Sequence, residues 1–318
     1  MSKPSDSAVL PPLRVSVILP AKNEAEPLAD LLPRIRGQLP GAEIIVVDDG
    51  STDATAETAA RCGARVLSHP YSKGNGAAIK TGARVATGDV LVFLDADGQH
   101  DAADIPRLLA EIEHSELVVG SRDPSTHASL GRRLANAFYN WFAGYMTGQR
   151  VPDLTSGFRV ARAGRFREFL YLLPNGFSYP TTSTMAFFRA GYSVSFVPIH
   201  AGKRTGTSHI RPVQDGIRFL LIIFKVGTLY SPLKLFFPVS GSFGLVGLSY
   251  YCYTFVTQHR FTNMSALMLT TAVLVFLIGL VSEQITQLNY RPHVAEARTS
   301  RLDDSRRSTR ETMRDTGT

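Results

Sequence analysis

Over the first 120 residues, short apolar runs alternate with segments of helical period, and two long apolar runs follow much later in the chain. Arg14–Pro20 is rich in Val, Ile and Leu and stops at a proline, so it reads as a first strand. Leu28, Leu31, Leu32, Ile35 and Leu39 recur at helical spacing and predict a helix over 24–39. Pro27 is tolerated in its first turn, and Pro33 is expected to kink it. Glu43–Asp48 is a second predicted strand, with Thr52 or Asp53 capping a helix through Arg61. Ala64–Leu67 is a third strand, and Gly74-Asn-Gly76 opens a helix ending near Thr87. Val90–Leu94 is apolar throughout, the pattern of a strand buried on both faces in a parallel sheet. Ile105–His114 reads as a helix and Leu117–Gly120 as a fifth strand. The alternation predicts an α/β fold with a doubly wound, mostly parallel sheet.

Chemistry collects where these strands end. Val90–Leu94 runs into Asp95-Ala96-Asp97-Gly98-Gln99-His100-Asp101. Ligands of open α/β sheets bind at the carboxyl ends of strands. Two clustered carboxylates repel each other, and a hard divalent cation bridging a diphosphate removes that cost. A solvated turn in which Asp101 or Asp104 caps the next helix accounts for the same residues. Pro20-Ala-Lys-Asn-Glu24 and Asp48-Asp-Gly-Ser-Thr-Asp53 occupy equivalent places after the first two strands. The glycine-rich fingerprint of a dinucleotide site is absent from the first of these, which disfavours NAD. Acidic loops suit ribose hydroxyls and base edges instead. Gly74-Asn-Gly76 fits either a phosphate contact at a helix start or a plain turn.

Charge adds one constraint. The 34 basic and 27 acidic residues leave a net +7, which favours an anionic partner. Cys62 and Cys252 sit in segments of different character, arguing against a disulfide framework or a cysteine zinc site. Residues 1–12 are polar and Pro-rich, read as disordered and without the apolar core of a secretory signal, so the first domain is expected in the cytoplasm.

Beyond residue 210 the pattern changes. Within the juxtamembrane segment 211–234, Gly216–Gly227 is apolar but interrupted, and Asp215, Arg218 and Lys225 fall within an arc of about 80°, an amphipathic helix that suits the headgroup region of a bilayer; a buried core helix is the other reading. Residues 235–256 contain no charge and are long enough for a membrane span. A polar turn, 258–263, leads to a second uncharged run from 264 to about 282. Two spans joined this way form a hairpin within 235–282 and return the C-terminus to the side of the catalytic domain. The tail, 291–318, carries seven arginines and reads as disordered, with a charge that matches positive-inside orientation.

The ordered set of motifs resembles a known family. Pro20–Glu24, Val47–Asp53, Gly74–Ala78, Gly88-Asp89 and Asp95-Ala-Asp97-x-Gln99 together are similar to family 2, GT-A-fold glycosyltransferases. Gly120-Ser-Arg122, Asp153-Leu-Thr-Ser-Gly-Phe-Arg159 and Arg204-Thr-Gly-Thr-Ser208 narrow the resemblance to the polyprenyl-phosphate glycosyltransferases, which include dolichol-phosphate mannose synthase and bacterial undecaprenyl-phosphate enzymes. The resemblance implies a GT-A domain over 13–210 that moves one sugar, with inversion, from a GDP- or UDP-hexose to a polyprenyl phosphate at the cytoplasmic membrane face.

It also assigns residues. Pro20, Ala21, Asn23, Glu24, Asp48 or Asp49, Asp95 and Ala96 would contact the nucleotide sugar. Asp95, Asp97 and Gln99 would hold Mg²⁺ or Mn²⁺ on the diphosphate. Arg122, Arg132 or Arg133, Ser156, Arg159, Lys203 and Arg204 are the expected acceptor-phosphate contacts. Asp97, Arg133, Ser156 and Arg204 are the expected catalytic core. One departure stands out: Thr181-Thr-Ser-Thr184 occupies the helix where many relatives carry a glutamate near residue 183.

The partners implied are the nucleotide sugar, the polyprenyl phosphate and a lipid bilayer, with no nucleic acid, and a homo-oligomer through the hairpin is a further expectation. Two rival readings remain. One uses the same donor with a neutral lipid hydroxyl, for which Asp153 would be the base. The other keeps the fold as a catalytically silent membrane scaffold.

Overall fold

The computed structural model describes residues 13–122, 130–176, 178–199, 224–225 and 227–289, with the backbone alone for 130–136 and 289. The expected contacts Lys203 and Arg204, most of the amphipathic segment and the arginine-rich tail lie outside these residues. The chain divides into two compact units, 1–230 and 231–318.

The first unit is built on a seven-stranded sheet: β1 (Val15–Ala21), β2 (Glu43–Asp48), β3 (Arg65–Ser68), β4 (Val90–Phe93), β5 (Leu117–Arg122), β6 (Arg159–Arg162) and β7 (Val194–Ile199). Their order is β3-β2-β1-β4-β6-β5-β7. Four of the six neighbouring pairs are parallel, but β6 enters between β4 and β5 and is antiparallel to both. The helices are α1 (Ala25–Gln38), α2 (Thr55–Arg61), α3 (Asn75–Val85), α4 (Ile105–Glu111), α5 (Leu130–Thr147), α6 (Ala163–Arg167) and α7 (Tyr179–Arg189). Pro33 lies inside α1, which runs on past it as one helix.

Alternate strand residues face the two sides of the sheet, and on the central strands both sides are buried. Val17 and Leu19 of β1 join Val46, Val92, Val118 and Val160 in a core closed by Leu28, Leu31, Leu32 and Ile35 of α1 and Ile105 and Leu108 of α4. Each such side chain contributes about 1.5–3 kcal/mol when fully buried. On β1, Ile18 points the other way and meets α3 so closely that a Cβ on Gly82 would stand 2.4 Å from Ile18 Cγ2. Val90 to Leu94 are all at most 1 % exposed, which is the two-sided burial their composition predicts.

The sheet reverses its winding between β1 and β4, since β2 and β3 lie on one side of β1 and β4 on the other. The pairing Ile18↔Phe93 brings the carboxyl ends of these two strands side by side. A crevice is expected at this switch point.

The second unit contains α8 (Pro232–Gln258) and α9 (Asn263–Asn289), joined by a turn in which His259 takes a left-handed conformation. Both helices are long and apolar enough to cross a membrane. They pack closely: a Cβ on Gly279 would stand 2.7 Å from Phe236 Cβ, and Ser240 donates to the Ala272 carbonyl at 2.8 Å.

Candidate active site

The switch point holds a cleft of about 450 Å³. The loop after β1 contributes Pro20, Ala21, Lys22 and Glu24, and the loop after β4 contributes Asp95, Ala96 and Asp97. Asp49 and the segment leading into α3, with Ser72, Gly74 and Asn75, complete the lining.

Two of these loops are knitted together. Asn23 has a positive φ of 56°, and its backbone N–H donates to Ser51 Oγ while its Oδ1 accepts from Thr52 N at 2.8 Å. Asp48 accepts from Ser51 N at 3.0 Å. Asn23 and Asp48 therefore shape the loops in this structure. Asp49 has a different task. His69 Nδ1 at 2.7 Å, Ser72 Oγ, Lys73 N and Gly74 N, the last three each at 2.8 Å, all lie within hydrogen-bond reach of its two oxygens. Burial works against its charge, but these bonds outweigh it and lower its pKa to about 2. Asp49 thus fixes the 72–74 turn against β2. His69 and Ser72 were not singled out in the sequence; a lone histidine after a short strand carries no spacing signal.

Gly74 and Gly76 serve packing. A Cβ on Gly74 would stand 2.4 Å from the Asn175 carbonyl, and one on Gly76 would stand 2.1 Å from that of Pro174. The first turn of α3 lies against residues 174–176, and Ala77 N donates to Asn175 O at 3.1 Å. The helix start thus packs partly against the chain itself, while Gly74 and Asn75 still line the cleft.

The loop between α5 and β6 brings the second group of motifs to the cleft. Since β6 runs antiparallel beside β4, with Arg159 opposite Phe93, the preceding residues pass over the carboxyl end of β4. A Cβ on Gly157 would fall 2.2 Å from Asp95 Oδ2, so only glycine lets the chain pass. His100, 4 % exposed and 5.3 Å from the Phe158 ring, places Nε2 at 3.8 Å from the same oxygen. Burial would raise the Asp95 pKa; His100, Asn75 and the charge of Arg122 outweigh it and hold Asp95 below the ordinary carboxylate range.

Arg122, at the end of β5, forms a bidentate pair with Asp153 at 2.8 and 3.1 Å and donates to Thr155 Oγ1 at 2.7 Å. Burial opposes both charges, but the pair prevails: the Arg122 pKa lies above its usual value and that of Asp153 below. Asn140 of α5 braces the same loop, donating to Pro152 O and accepting from Leu154 N.

Arg159 corrects one expectation. It is fully buried and donates to the carbonyls of Ser156 and Pro180 and to the hydroxyls of Ser183 and Thr184. Its guanidinium ties the Ser156 loop to the first turns of α7 rather than facing an acceptor, and burial lowers its pKa to about 10. Ser183 and Thr184, the departure noted in the sequence, are what this arginine binds. Ser156 is fully buried too. The backbones of Arg132 and Arg133 lie in α5.

The fit of a divalent cation can be judged from the donor set. Asp95 and Asp97 line the cleft together, and Asp97 Oδ1 accepts from Gln99 N at 3.1 Å. Among the described residues no three His, Cys, Asp or Glu side chains form a closed cage. An open pair of carboxylates is what a cation needs when substrate phosphates supply other ligands. Three buried polar atoms, Asn75 Oδ1, His100 Nδ1 and Ser156 Oγ, have no partner among the described residues, and all occur on residues next to Asp95 or Gly157. Such orphans each cost about 1–3 kcal/mol, a cost that a bound polar group relieves. The residues fit.

Comparisons with known proteins agree with this geometry. Residues 16–171 match the model of glycosyl transferase family 2, and residues 231–288 match the GtrB C-terminal hairpin. An uncharacterized glycosyltransferase of Mycobacterium tuberculosis is 35 % identical over 197 residues, covering 60 % of this chain and 87 % of its own length. An undecaprenyl-phosphate mannosyltransferase of Micrococcus luteus is 32 % identical over 201 residues, 59 % of this chain and 83 % of that protein. The structure of glucosyl-3-phosphoglycerate synthase from Mycobacterium tuberculosis, in complex with Mn²⁺ and UDP, shares the fold with a TM-score of 0.55 at 24 % identity, over 68 % of this chain and 79 % of that one. With the switch-point cleft, the ordered acidic loops and the relatives all in agreement, this chain belongs to glycosyl transferase family 2 and is a glycosyltransferase.

Proposed function

We propose that the enzyme transfers a single hexose from a GDP- or UDP-sugar to a polyprenyl phosphate at the cytoplasmic face of a membrane. The observation that carries this reading is the presence, in one chain, of a carboxylate-lined cleft suited to a nucleotide sugar and an apolar helical hairpin suited to a bilayer. The hairpin match and the relative named as an undecaprenyl-phosphate mannosyltransferase support the lipid acceptor.

In this reading Pro20, Ala21 and Glu24 receive the nucleoside, while Asn23, Asp48 and Asp49 hold the loops that shape its site. Asp95 and Asp97, with Gln99, would hold Mg²⁺ or Mn²⁺, which when bound neutralises the charge of the departing diphosphate. Arg122, Arg132 or Arg133, and Lys203 and Arg204 supply positive charge for the acceptor phosphate. That phosphate is its own nucleophile. Its second pKa is about 6, so an oxygen is already ionised near neutral pH and attacks the anomeric carbon with inversion.

The hydroxyl-acceptor rival needs a base, and Asp153 is poorly suited to be one. Both its oxygens are engaged by Arg122, and its pKa is depressed. The two cleft carboxylates likewise give no ground for a silent scaffold.

An acceptor comparison tests the reading. Membranes containing the enzyme would be supplied with labelled nucleotide sugars and with undecaprenyl phosphate, undecaprenol or diacylglycerol. Transfer confined to the phosphorylated lipid is expected; equal transfer to either alcohol would reject the phosphate as nucleophile.

A further inference from the structure

Helix α5 is apolar around more of its circumference than the core requires. Tyr139, Phe142, Ala143 and Met146 form a buried face, each at most 9 % exposed. Tyr139 also donates to Thr181 Oγ1, so this face is anchored on α7. Next to it lies a second face of Phe138, Trp141 and Tyr145, exposed by 49 %, 62 % and 47 %. At 100° per residue these three fall within an arc of about 60°. Their rings form a continuous strip, with centroids 5.6 Å apart for Phe138–Trp141 and 6.1 Å for Trp141–Tyr145. A surface helix in water normally carries polar residues there.

The segment's charge is equally one-sided. From Leu130 to Arg150 there are three arginines and no carboxylate. Trp and Tyr, with an apolar body and a polar tip, are the side chains that concentrate at the level of lipid headgroups. Basic residues in the same segment add attraction to anionic lipids. A second copy of the chain would explain the apolar strip but not the absence of acidic residues, which a protein partner of the same net positive charge would not favour.

We propose that the Phe138–Trp141–Tyr145 face of α5 docks on the bilayer interface, giving the catalytic unit a membrane contact separate from the α8–α9 hairpin. The surface takes an anionic phospholipid headgroup layer. The proposal rests on the membrane reading of the hairpin and is independent of which sugar or acceptor is used.

Trp141 is the only tryptophan in the chain, so its fluorescence reports this face alone. The full-length protein would be reconstituted into phosphatidylcholine–phosphatidylglycerol vesicles, with and without phosphatidylcholine brominated at acyl carbons close to the headgroup. Co-flotation with the vesicles reports the hairpin, while quenching by the brominated lipid reports α5. The expected result is co-flotation with loss of most of the Trp141 emission in brominated vesicles, and weaker quenching in the Phe138→Ser/Tyr145→Ser variant, which still floats. Co-flotation with emission quenched by aqueous iodide and not by bromine would overturn the proposal. Emission shielded from both would also overturn it, by showing that protein covers the strip. Failure to float would count against the hairpin reading instead, and absence of bromine quenching in that case would reject the α5 contact as well.

Discussion

The Asp95 carboxylate lies where the Cβ of residue 157 would be: an ideal Cβ on Gly157 falls 2.2 Å from Asp95 Oδ2. The loop that carries Ser156 and leads into Arg159 is thereby seated against the first carboxylate of the Asp-x-Asp motif. Arg159, pinned to α7, and Arg122, pinned to Asp153, hold that loop from either side. The two sets of motifs, with Asp95 and Gly157 62 positions apart in sequence, work as one surface.

Replacing Gly157 with alanine should therefore displace either the loop or Asp95. We expect about 1–3 kcal/mol of destabilisation from the overpacking. Sugar transfer should fall further than stability does, because the displaced group is in the cleft. Denaturant titration and a transfer assay on the same preparation separate the two effects.

Asp49 makes stability depend on acid pH. Its folded pKa, about 2, is below its ordinary value of 3.8, so its contribution is fully present above the unfolded value. As the pH falls from about 4 toward 2 that contribution is lost, an amount of about 2 kcal/mol. Asp49→Asn should lower stability at neutral pH and flatten its decline over this window. An unaltered acid limb in the variant, measured by denaturant unfolding at several pH values, would contradict the assignment.

The Arg122–Asp153 pair gives a separate test. Asp153→Asn leaves a largely buried guanidinium without its countercharge, a change that costs about 3 kcal/mol in comparable pairs. The Asp153 pKa is depressed, so the stabilisation it provides holds above the unfolded carboxylate pKa and fades only as pH falls through the lower folded value. Activity should behave otherwise. With the acceptor phosphate as nucleophile, kcat/KM rises with pH through about 6 in the wild type and in Asp153→Asn alike. A wild-type limb lying in the acidic carboxylate range instead, and lost in the variant, would make Asp153 the base after all.

Much of the sheet was legible in the sequence because β1, β2, β4 and β5 bury both faces and spell this out in Val, Ile and Leu. β6 was not. Its ends are Arg159 and Arg162, and a strand opening on a fully buried arginine looks like surface by composition. The same arginine explains the error over its role: sequence reads a cation as a phosphate contact, whereas the fold surrounds it with carbonyls and hydroxyls. The Asp-x-Asp cleft was visible as motif order, since strand ends in a doubly wound sheet converge by topology. Asp49–His69 and Asp95–Gly157 were not visible, because each depends on a long-range approach that leaves no period or spacing. The exposed strip on α5 was hidden too, since helical periodicity cannot tell which of two adjacent apolar faces the core takes.

The lipid product is the most direct test of a sugar transferred to a polyprenyl phosphate. Membranes containing the protein, incubated with undecaprenyl phosphate, Mg²⁺ or Mn²⁺ and a panel of labelled nucleotide sugars, should pass label from one donor into a lipid whose sugar is released by mild acid, as a glycosyl phosphate requires. Asp97→Ala, folded as judged by its unfolding transition, should pass none. Label accumulating only in an acid-stable glycolipid, or full activity of Asp97→Ala, would contradict the account.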